Sequence, residues 1–275
     1  MLRLAAVVKK RQYHVGLALF LCLLAGACAP GDSASAGPTC LAESTDQLQK
    51  IAVEHVYDGD TLRLRGGAKL RLIGINTPEL GRNGRPDEPL AREARTGLQR
   101  LVAGGFVWLL DGEDPRDKYN RRLAYAFDHQ GNSLSAQLVR QGLGFHVAIS
   151  PNYAYADCLQ AQERFARDAA QGVWSEDRFA PLAARELGRS QGGFLRIRDR
   201  VTHVSFKDNG WWVQLGGKVG LQIKRADQGL FSRSNLAGLE GRVIEARGWL
   251  VPMQGDWWMM QLGHPSMLEQ HPFGD

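Results

Sequence analysis

The sequence predicts a mainly β chain with helices (α+β), built as two small β-barrels in tandem. Two observations carry this. Short alternating segments follow one another in the order three strands, helix, two strands, and that order occurs twice. Between the two runs, residues 176–193 hold Pro181, Ala183-Ala184 and Gly192-Gly193 and show no sustained alternation. Three strands, a helix and two strands is the order of a Greek-key barrel of the OB type. We therefore place a first OB-type domain at 50–175, a linker at 176–191 and a second OB-like domain at 192–275.

The N-terminus reads as an export signal. Residues 1–27 carry Arg3, Lys9, Lys10 and Arg11, no acid, an apolar run at 15–25 and a small-residue end, Ala25-Gly26-Ala27. A basic start, a short apolar stretch and small residues at the cut form a signal peptide. The apolar run is short for a membrane span. Ala25-Gly26-Ala27 suits an ordinary signal cleavage, whereas Cys28 suits lipidation, although Ala25 stands where a lipoprotein box usually has Leu. Either way the chain is extracytoplasmic: a lipoprotein of the cell envelope, a periplasmic protein or a secreted one. Residues 28–49 read as a tether. The whole chain is formally +5, and removing the four basic residues of 1–27 leaves +1. A high pI therefore says little about nucleic acid, and any basic footprint has to be local.

Cysteine usage agrees with export. Cys22 leaves with the signal, and Cys40 and Cys158 remain beside Cys28. An oxidising compartment permits Cys40 and Cys158 to pair. Two free thiols are the alternative.

In the first domain, 51–57 alternates apolar and polar residues, Asp58-Gly59-Asp60 turns the chain, 62–65 alternates again, and 69–75 reads as a third strand. Asp87-Glu88-Pro89 marks a helix start, since acids suit the positive end of a helix and proline its first turn. Leu90, Ala94, Leu98 and Leu101 continue it at helical spacing, and Gly104-Gly105 ends it. Strands follow at 106–110 and 123–127, then helices at 133–141 and 156–171. In the second domain, strands fall at 194–206, 211–215, 219–223, 242–251 and 257–262, with a helix at 226–239. Trp211, Trp212, Trp249, Trp257 and Trp258 either fill this barrel's core or offer stacking platforms for bases. Neighbouring tryptophans on a strand face opposite ways.

The chemistry sits in the turns. Asp58-Gly59-Asp60-Thr61 gathers two carboxylates and a hydroxyl, and Asn76-Thr77-Pro78-Glu79 gathers an amide, a hydroxyl and a carboxylate. Arg71 lies between them in a strand, and Asp117-Lys118-Tyr119-Asn120-Arg121 adds cations and an aromatic. Hard oxygen donors suit Ca²⁺ or Mg²⁺. Guanidinium forks match phosphate oxygens. Singly, each feature is also an ordinary turn acid or surface arginine.

Taken in order, the strings Val56-Tyr57-Asp58-Gly59-Asp60-Thr61, Leu70-Arg71-Leu72-Ile73-Gly74-Ile75-Asn76-Thr77-Pro78-Glu79 and Asp117-Lys118-Tyr119-Asn120-Arg121-Arg122-Leu123-Ala124-Tyr125, with Gly172-Val173-Trp174-Ser175, resemble the thermonuclease (staphylococcal nuclease-like) family over residues 50–175. The resemblance implies a metal-dependent endonuclease hydrolysing phosphodiester bonds of single-stranded DNA or RNA. It implies catalytic roles for Arg71 and Arg121 on the phosphate and for Glu79 on the attacking water. It implies Ca²⁺ at Asp60, Asn76 and the Thr77 carbonyl, with Asp58 behind them, and substrate contacts from Lys118 and Tyr119. The chain departs from the pattern twice. Asn76 stands where the family usually has Asp, so one negative charge is lost and the expected requirement is millimolar Ca²⁺ or another ion. Residues 145–151 lack the tyrosines some members place around the nucleotide, leaving Phe145, His146 or Tyr153 as substitutes. His55, His129 and His146 show no metal-ligand spacing and read as structural. A catalytically weak nucleic-acid-binding OB module is the alternative. Asn76 favours it, and the retained Arg71, Glu79 and Arg121 oppose it.

Overall fold

A computed structural model describes residues 40–42, 44–189 and 191–270. The export signal read at 1–27, Cys28 and the tether up to residue 39 lie outside the described residues. Strands β1 (Gln49–Val56), β2 (Thr61–Leu64) and β3 (Lys69–Leu72) form an antiparallel meander. Leu62, Leu64, Leu70 and Leu72 alternate inward and are buried. The strand read at 69–75 breaks after Leu72. Gly74 takes φ +90°, and a Cβ there would lie 2.3 Å from Leu159 Cδ1. The chain therefore swings out of the barrel, and β4 (Ile75–Asn76) forms a separate two-residue strand.

Helix α1 (Ala91–Leu101) begins later than its acids and proline imply. Leu90, at φ 65°, is its cap, and Asp87 instead accepts from Gly81 N at 2.9 Å and pairs with Arg92. Strands β5 (Phe106–Arg116) and β6 (Arg122–Phe127) close a five-stranded barrel in the order β1-β2-β3-β6-β5, with β6 parallel to β3. Outside the barrel follow α2 (Leu134–Arg140), whose Ser133 cap accepts from Ala136 N, then β7 (Phe145–His146) and α3 (Ala156–Asp168). Strand β7 has no signature in the sequence at two residues long; it pairs antiparallel with β4. Cys40 and Cys158 are joined by a disulfide with their Cα atoms 5.6 Å apart, across 118 positions of chain. Closing a loop of that size in the unfolded chain is worth about 5 kcal/mol by the chain-entropy argument.

The second barrel repeats the topology. Strands β8 (Gly193–Lys207), β9 (Gly210–Leu215) and β10 (Val219–Ile223) precede α4 (Arg233–Ala237), and β11 (Val243–Met253), β12 (Trp257–Gln261) and a short β13 (Leu268–Gln270) follow. The sheet runs β12-β10-β9-β8-β11-β13 and closes through a β12–β11 pairing, with β12 parallel to β10. The helix read at 226–239 is instead a 3₁₀ stretch, Arg225–Leu230, and the five-residue α4. Gly229 weakens a continuous helix, and Ser232 starts a new one by accepting from Asn235 N at 3.3 Å. Trp258 fills the core, Trp211, Trp212 and Trp257 are half-buried, and Trp249 is exposed. Within the segment read as a linker, Leu182 bridges to Ile197 of this barrel, and Ala184 and Leu187 are buried.

A buried joint connects the two barrels. Val147, Ala148 and Ala156 belong to the hydrophobic core of the second barrel. Beside them, Glu163 of α3 is ion-paired with Arg247 of β11, both side chains almost fully buried. Glu163 also accepts from His146 N at 2.7 Å, and Arg247 Nε donates to His146 O at 3.1 Å. Nearby, Glu245 meets Arg196, Arg198 and Arg167 within 3.3 Å. Burial pushes the Glu245 carboxyl up, but hydrogen bonding and charge from Arg196, then Arg167 and Arg198, win and hold it at about 2.

Two expectations follow. Glu163→Ala removes the more buried of two carboxylates from the Arg247 guanidinium, which keeps only Glu269 at 3.3 Å, and should lower stability in urea by about 3 kcal/mol; a loss under about 1 kcal/mol would mean that Glu269 suffices. Folding lowers the Glu245 pKa from an ordinary 4.5 to about 2. Its contribution is thus complete above about pH 4.5 and is lost as pH falls towards 2. Thermal melts from pH 6 to 2.5 should show a drop in that window that is smaller in Glu245→Gln.

Candidate active site

The site begins at the β1–β2 turn. Asp58 Oδ1 accepts from Asp60 N at 3.1 Å, so the turn holds its two acids together. A Cβ on Gly59 would lie 2.6 Å from Ala94 Cβ and 2.8 Å from Thr77 Cβ. Only glycine lets helix α1 and the segment after β4 press on this turn. Thr77 then reaches Asp60, donating from N at 3.0 Å and from Oγ1 at 3.1 Å to Oδ2, while Thr61 Oγ1 donates to Oδ1 at 3.0 Å.

Arg71 knits this layer together. Its Nη1 donates to the carbonyls of Leu72 and Ile75 at 2.7 Å each, and its Nη2 reaches Asp60 Oδ2 at 3.1 Å and Asn76 Oδ1 at 3.3 Å. With 12% of its side chain exposed, it is a buried tie more than a free cation. Strand β4, which supplies two of these acceptors, is held from behind by His146. The His146 Nδ1 faces the Gly74 carbonyl at 3.1 Å, and a carbonyl can only accept, so Nδ1 carries the proton. Nε2 then accepts from Ser266 Oγ of the second barrel at 2.9 Å. Burial, then repulsion from Arg247, pushes the imidazole down to about 3, which keeps it neutral.

Next to this layer opens a cleft of about 780 Å³. Asp58, Glu79, Lys69, Arg82, Arg85 and Arg121 are among its lining residues. The loop carrying Glu79 closes on itself: Glu79 N donates to Glu88 Oε2 and Glu88 N to Glu79 O, both at 2.9 Å. Arg121 comes from the β5–β6 turn. Asp117 accepts from its backbone N at 2.9 Å and from its Nε at 2.6 Å. Partial burial raises the Asp117 pKa, but these hydrogen bonds outweigh it and hold the carboxyl below its ordinary value. The Arg121 Nη groups make no hydrogen bond among the described residues, so a fixed guanidinium edge faces the cleft. Tyr119 is 69% exposed and stacks under Lys118 and Arg121.

The acids repel one another. Burial, then the charge of Asp60, then that of Glu79, pushes Asp58 up to about 7 against a backbone hydrogen bond from Asp60. Glu79 is also raised, by burial and by Asp60, with Arg71 and Arg82 opposing. Two carboxylates of raised pKa beside the Asp60 charge fit a divalent cation, whose charge would relieve the repulsion. Among the described residues no three His, Cys, Asp or Glu side chains converge into a closed cage. A cation here would therefore rely on amide, backbone and water oxygens as well. The Asn76 amide oxygen, one such donor, is engaged by Arg71.

The sequence-derived residues thus separate into groups. Asp58, Glu79 and Arg121 line the cleft, while Asp60, Arg71, Asn76 and Thr77 form the buried layer beside it. Lys118 and Tyr119 stand on an exposed turn. Phe145, His146 and Tyr153 cannot stand in for nucleotide-facing tyrosines: Phe145 and His146 are buried at the barrel joint, and Tyr153 donates to Asp227 of the second barrel at 2.7 Å. Lys69, Arg82 and Arg85 went unread. The two arginines have as their signal only a cluster in the Gly-containing loop 81–86, which has no periodicity, and Lys69 stands at the start of a strand like any surface lysine.

Residues 69–176 match the staphylococcal nuclease homologue family. The match includes Arg71, Asn76, Thr77, Glu79, Lys118, Tyr119 and Arg121; Asp58 and Asp60 precede it. The thermonuclease of Staphylococcus hyicus is 29% identical over 138 residues, which are 49% of this chain and 80% of that protein. An uncharacterized protein of Bacillus anthracis is 31% identical over 146 residues, 51% of this chain and 68% of that protein. Endonuclease YncB of Bacillus subtilis (strain 168) is 29% identical over 135 residues, 47% of this chain and 64% of that protein.

The charge coupling can be measured without any substrate. Carboxyl NMR titration should find Asp58 near pH 7 and at lower pH in Glu79→Gln or after Ca²⁺ addition. An Asp58 midpoint insensitive to both would remove the argument for a cation.

Proposed function

The chain belongs to the staphylococcal nuclease-like (thermonuclease) family, and on that premise we propose that it is an exported, metal-dependent nuclease acting on single-stranded DNA or RNA in the cleft beside Asp58, Glu79 and Arg121. One observation carries the proposal: a carboxylate of raised pKa and a guanidinium with free Nη groups line the same cleft. A pure binding module has no use for a carboxylate beside a phosphate.

Each residue has a role in that reading. Arg121 offers its Nη groups to the phosphate, and Asp117 holds them in place, so positive charge is preorganised where negative charge builds. Glu79 takes the proton from the attacking water, and its raised pKa makes it a better base near neutral pH. Water oxygen bonds to phosphorus as the bond to the leaving oxygen breaks. Arg71, committed to Asp60, Asn76 and two carbonyls, keeps the acidic layer in register and presents its remaining edge to the phosphate. Lys118 and Tyr119 meet a neighbouring part of the strand. Asp60, with the Asn76 amide and the Thr77 carbonyl, would hold Ca²⁺, and Asp58 stands behind Asp60, accepting from its backbone N. When bound, the ion supplies a Lewis acid for the phosphate and a lower pKa for water. Asn76 costs that site one charge, so the expected Ca²⁺ requirement is millimolar.

Export is part of the same proposal. The basic, apolar and small-residue pattern of 1–27 supports it, and so does the Cys40–Cys158 disulfide, a bond kept in oxidising compartments. Lipid attachment at Cys28 and free release are two forms of that fate.

The test is cleavage of single-stranded DNA by the mature chain across a Ca²⁺ titration, with an EDTA control. Glu79→Ala and Arg121→Ala should each reduce kcat by roughly 10²–10³-fold. Asn76→Asp should lower the Ca²⁺ concentration needed. Cleavage that persists in EDTA, or at full rate in Glu79→Ala, would sink the mechanism.

A further inference from the structure

The second barrel carries a cleft of its own, of about 310 Å³, on the outer face of β9 and β10. Strand alternation explains its lining. Val213 and Leu215 of β9 point into the core, so Trp212 and Gln214 point out. Val219, Leu221 and Ile223 of β10 point in, which turns Gly220 outward; in β12, Trp258 and Met260 point in and Trp257 points out. Two half-buried indoles thus flank one glycine. A Cβ on Gly220 would lie 2.8 Å from Trp257 Cζ2 and 3.2 Å from Trp212 Cε3, so glycine is what lets both rings rest against the strand.

His203 is in the lining of this cleft, with its Nδ1 3.2 Å from Glu240, which lies outside it. Lys207, at the end of β8, lines it and makes no ion pair among the described residues, and no carboxylate lines it. Asp256, next to Trp257 in the chain, is held by Lys218 Nζ at 3.1 Å. Core filling does not account for the two rings, because Trp258 fills the core and no described element covers Trp212 or Trp257. Flat aromatic faces with a cation and no acid fit a chain of bases on an anionic backbone. The place fits too: in OB barrels, oligonucleotides and oligosaccharides lie across the second and third strands, between the first and last loops. Lys207 begins the first of those loops, and Trp257 follows the last. The unpaired ammonium favours the polyanion over a neutral sugar chain.

We infer that the second barrel holds a non-catalytic site for single-stranded nucleic acid, in which bases stack on Trp212 and Trp257 and Lys207 meets a phosphate. The inference rests on the reading of the first barrel as a nuclease. Its value to that enzyme is effective concentration, since a strand held on one barrel is presented to the other.

The test is fluorescence anisotropy of labelled dT20 with the full mature chain, in EDTA so that nothing is cleaved. Trp212→Ala/Trp257→Ala should weaken binding by roughly tenfold or more, and Trp212→Phe/Trp257→Phe should recover most of it. Lys207→Gln should reduce the salt dependence by about one counterion. With Ca²⁺, the alanine pair should raise KM for long strands, leave kcat unchanged and leave cleavage of a dinucleotide unchanged. A folded alanine pair that binds dT20 like the parent overturns the inference. So does indole-dependent binding of a neutral soluble polysaccharide with none of dT20. Should the alanine pair not fold, Lys207→Gln decides: parental affinity and parental salt dependence in that variant overturn it. Indole-dependent binding by a protein that cleaves nothing would sink the nuclease reading and leave this one standing.

Discussion

The buried pair of Glu163 and Arg247 is the constraint on which the rest of the arrangement depends. Neither group can lose its partner cheaply inside a joint that excludes water. Each also binds His146, one through the backbone N–H and the other through the backbone carbonyl. His146 in turn holds the Gly74 carbonyl, at the point where the chain leaves the first barrel to form β4. Through β4 the joint reaches Ile75, Asn76 and Thr77, and through them Arg71 and Asp60. A contact between two barrels thus fixes the side chains beside the cleft.

That rigidity has a purpose in the electrostatics. Asp58, Asp60 and Glu79 crowd together although their charges repel, and burial, with the charge of Asp60, raises the pKa values of Asp58 and Glu79. A softer scaffold would relax by spreading them. Here Gly59 lets α1 and Thr77 close over the turn, and Arg71 ties the layer from within. Asn76 belongs to the same balance. An amide in place of a carboxylate removes one negative charge from the cluster and gives Arg71 an acceptor.

Much of this was legible residue by residue. The alternation of Leu62, Leu64, Leu70 and Leu72 shows a barrel wall, and the order of segments shows a barrel of OB type twice over. Asp58 and Arg121 sit in turns between strands and Glu79 in the loop from β4 to α1, all of them connections rather than strand or helix interiors. What escaped reading has a common cause. Strand β7 is two residues long, too short for any period. The break after Leu72 depends on Leu159, a residue 87 positions later, closing the space a side chain on Gly74 would need. Arg82 and Arg85 lie in a loop whose path is set by Asp87 and Glu88 turning back on it.

By itself, the sequence determined which local elements form and which chemical groups the turns carry, because both follow from spacing along a strand or helix. Only the tertiary structure decided which of those groups are free. Arg71 and Arg121 are the same residue type, yet one is tied to two carbonyls, an amide and a carboxylate, while the other keeps its Nη groups open to the cleft. Phe145 and His146 were candidates to stand around a nucleotide and are buried instead, because a second barrel docks on them. Trp257 and Trp258 are neighbours with opposite fates, one outside the barrel and one in its core. Freedom, burial and partnership are properties of contacts between distant segments, and local pattern carries no record of them.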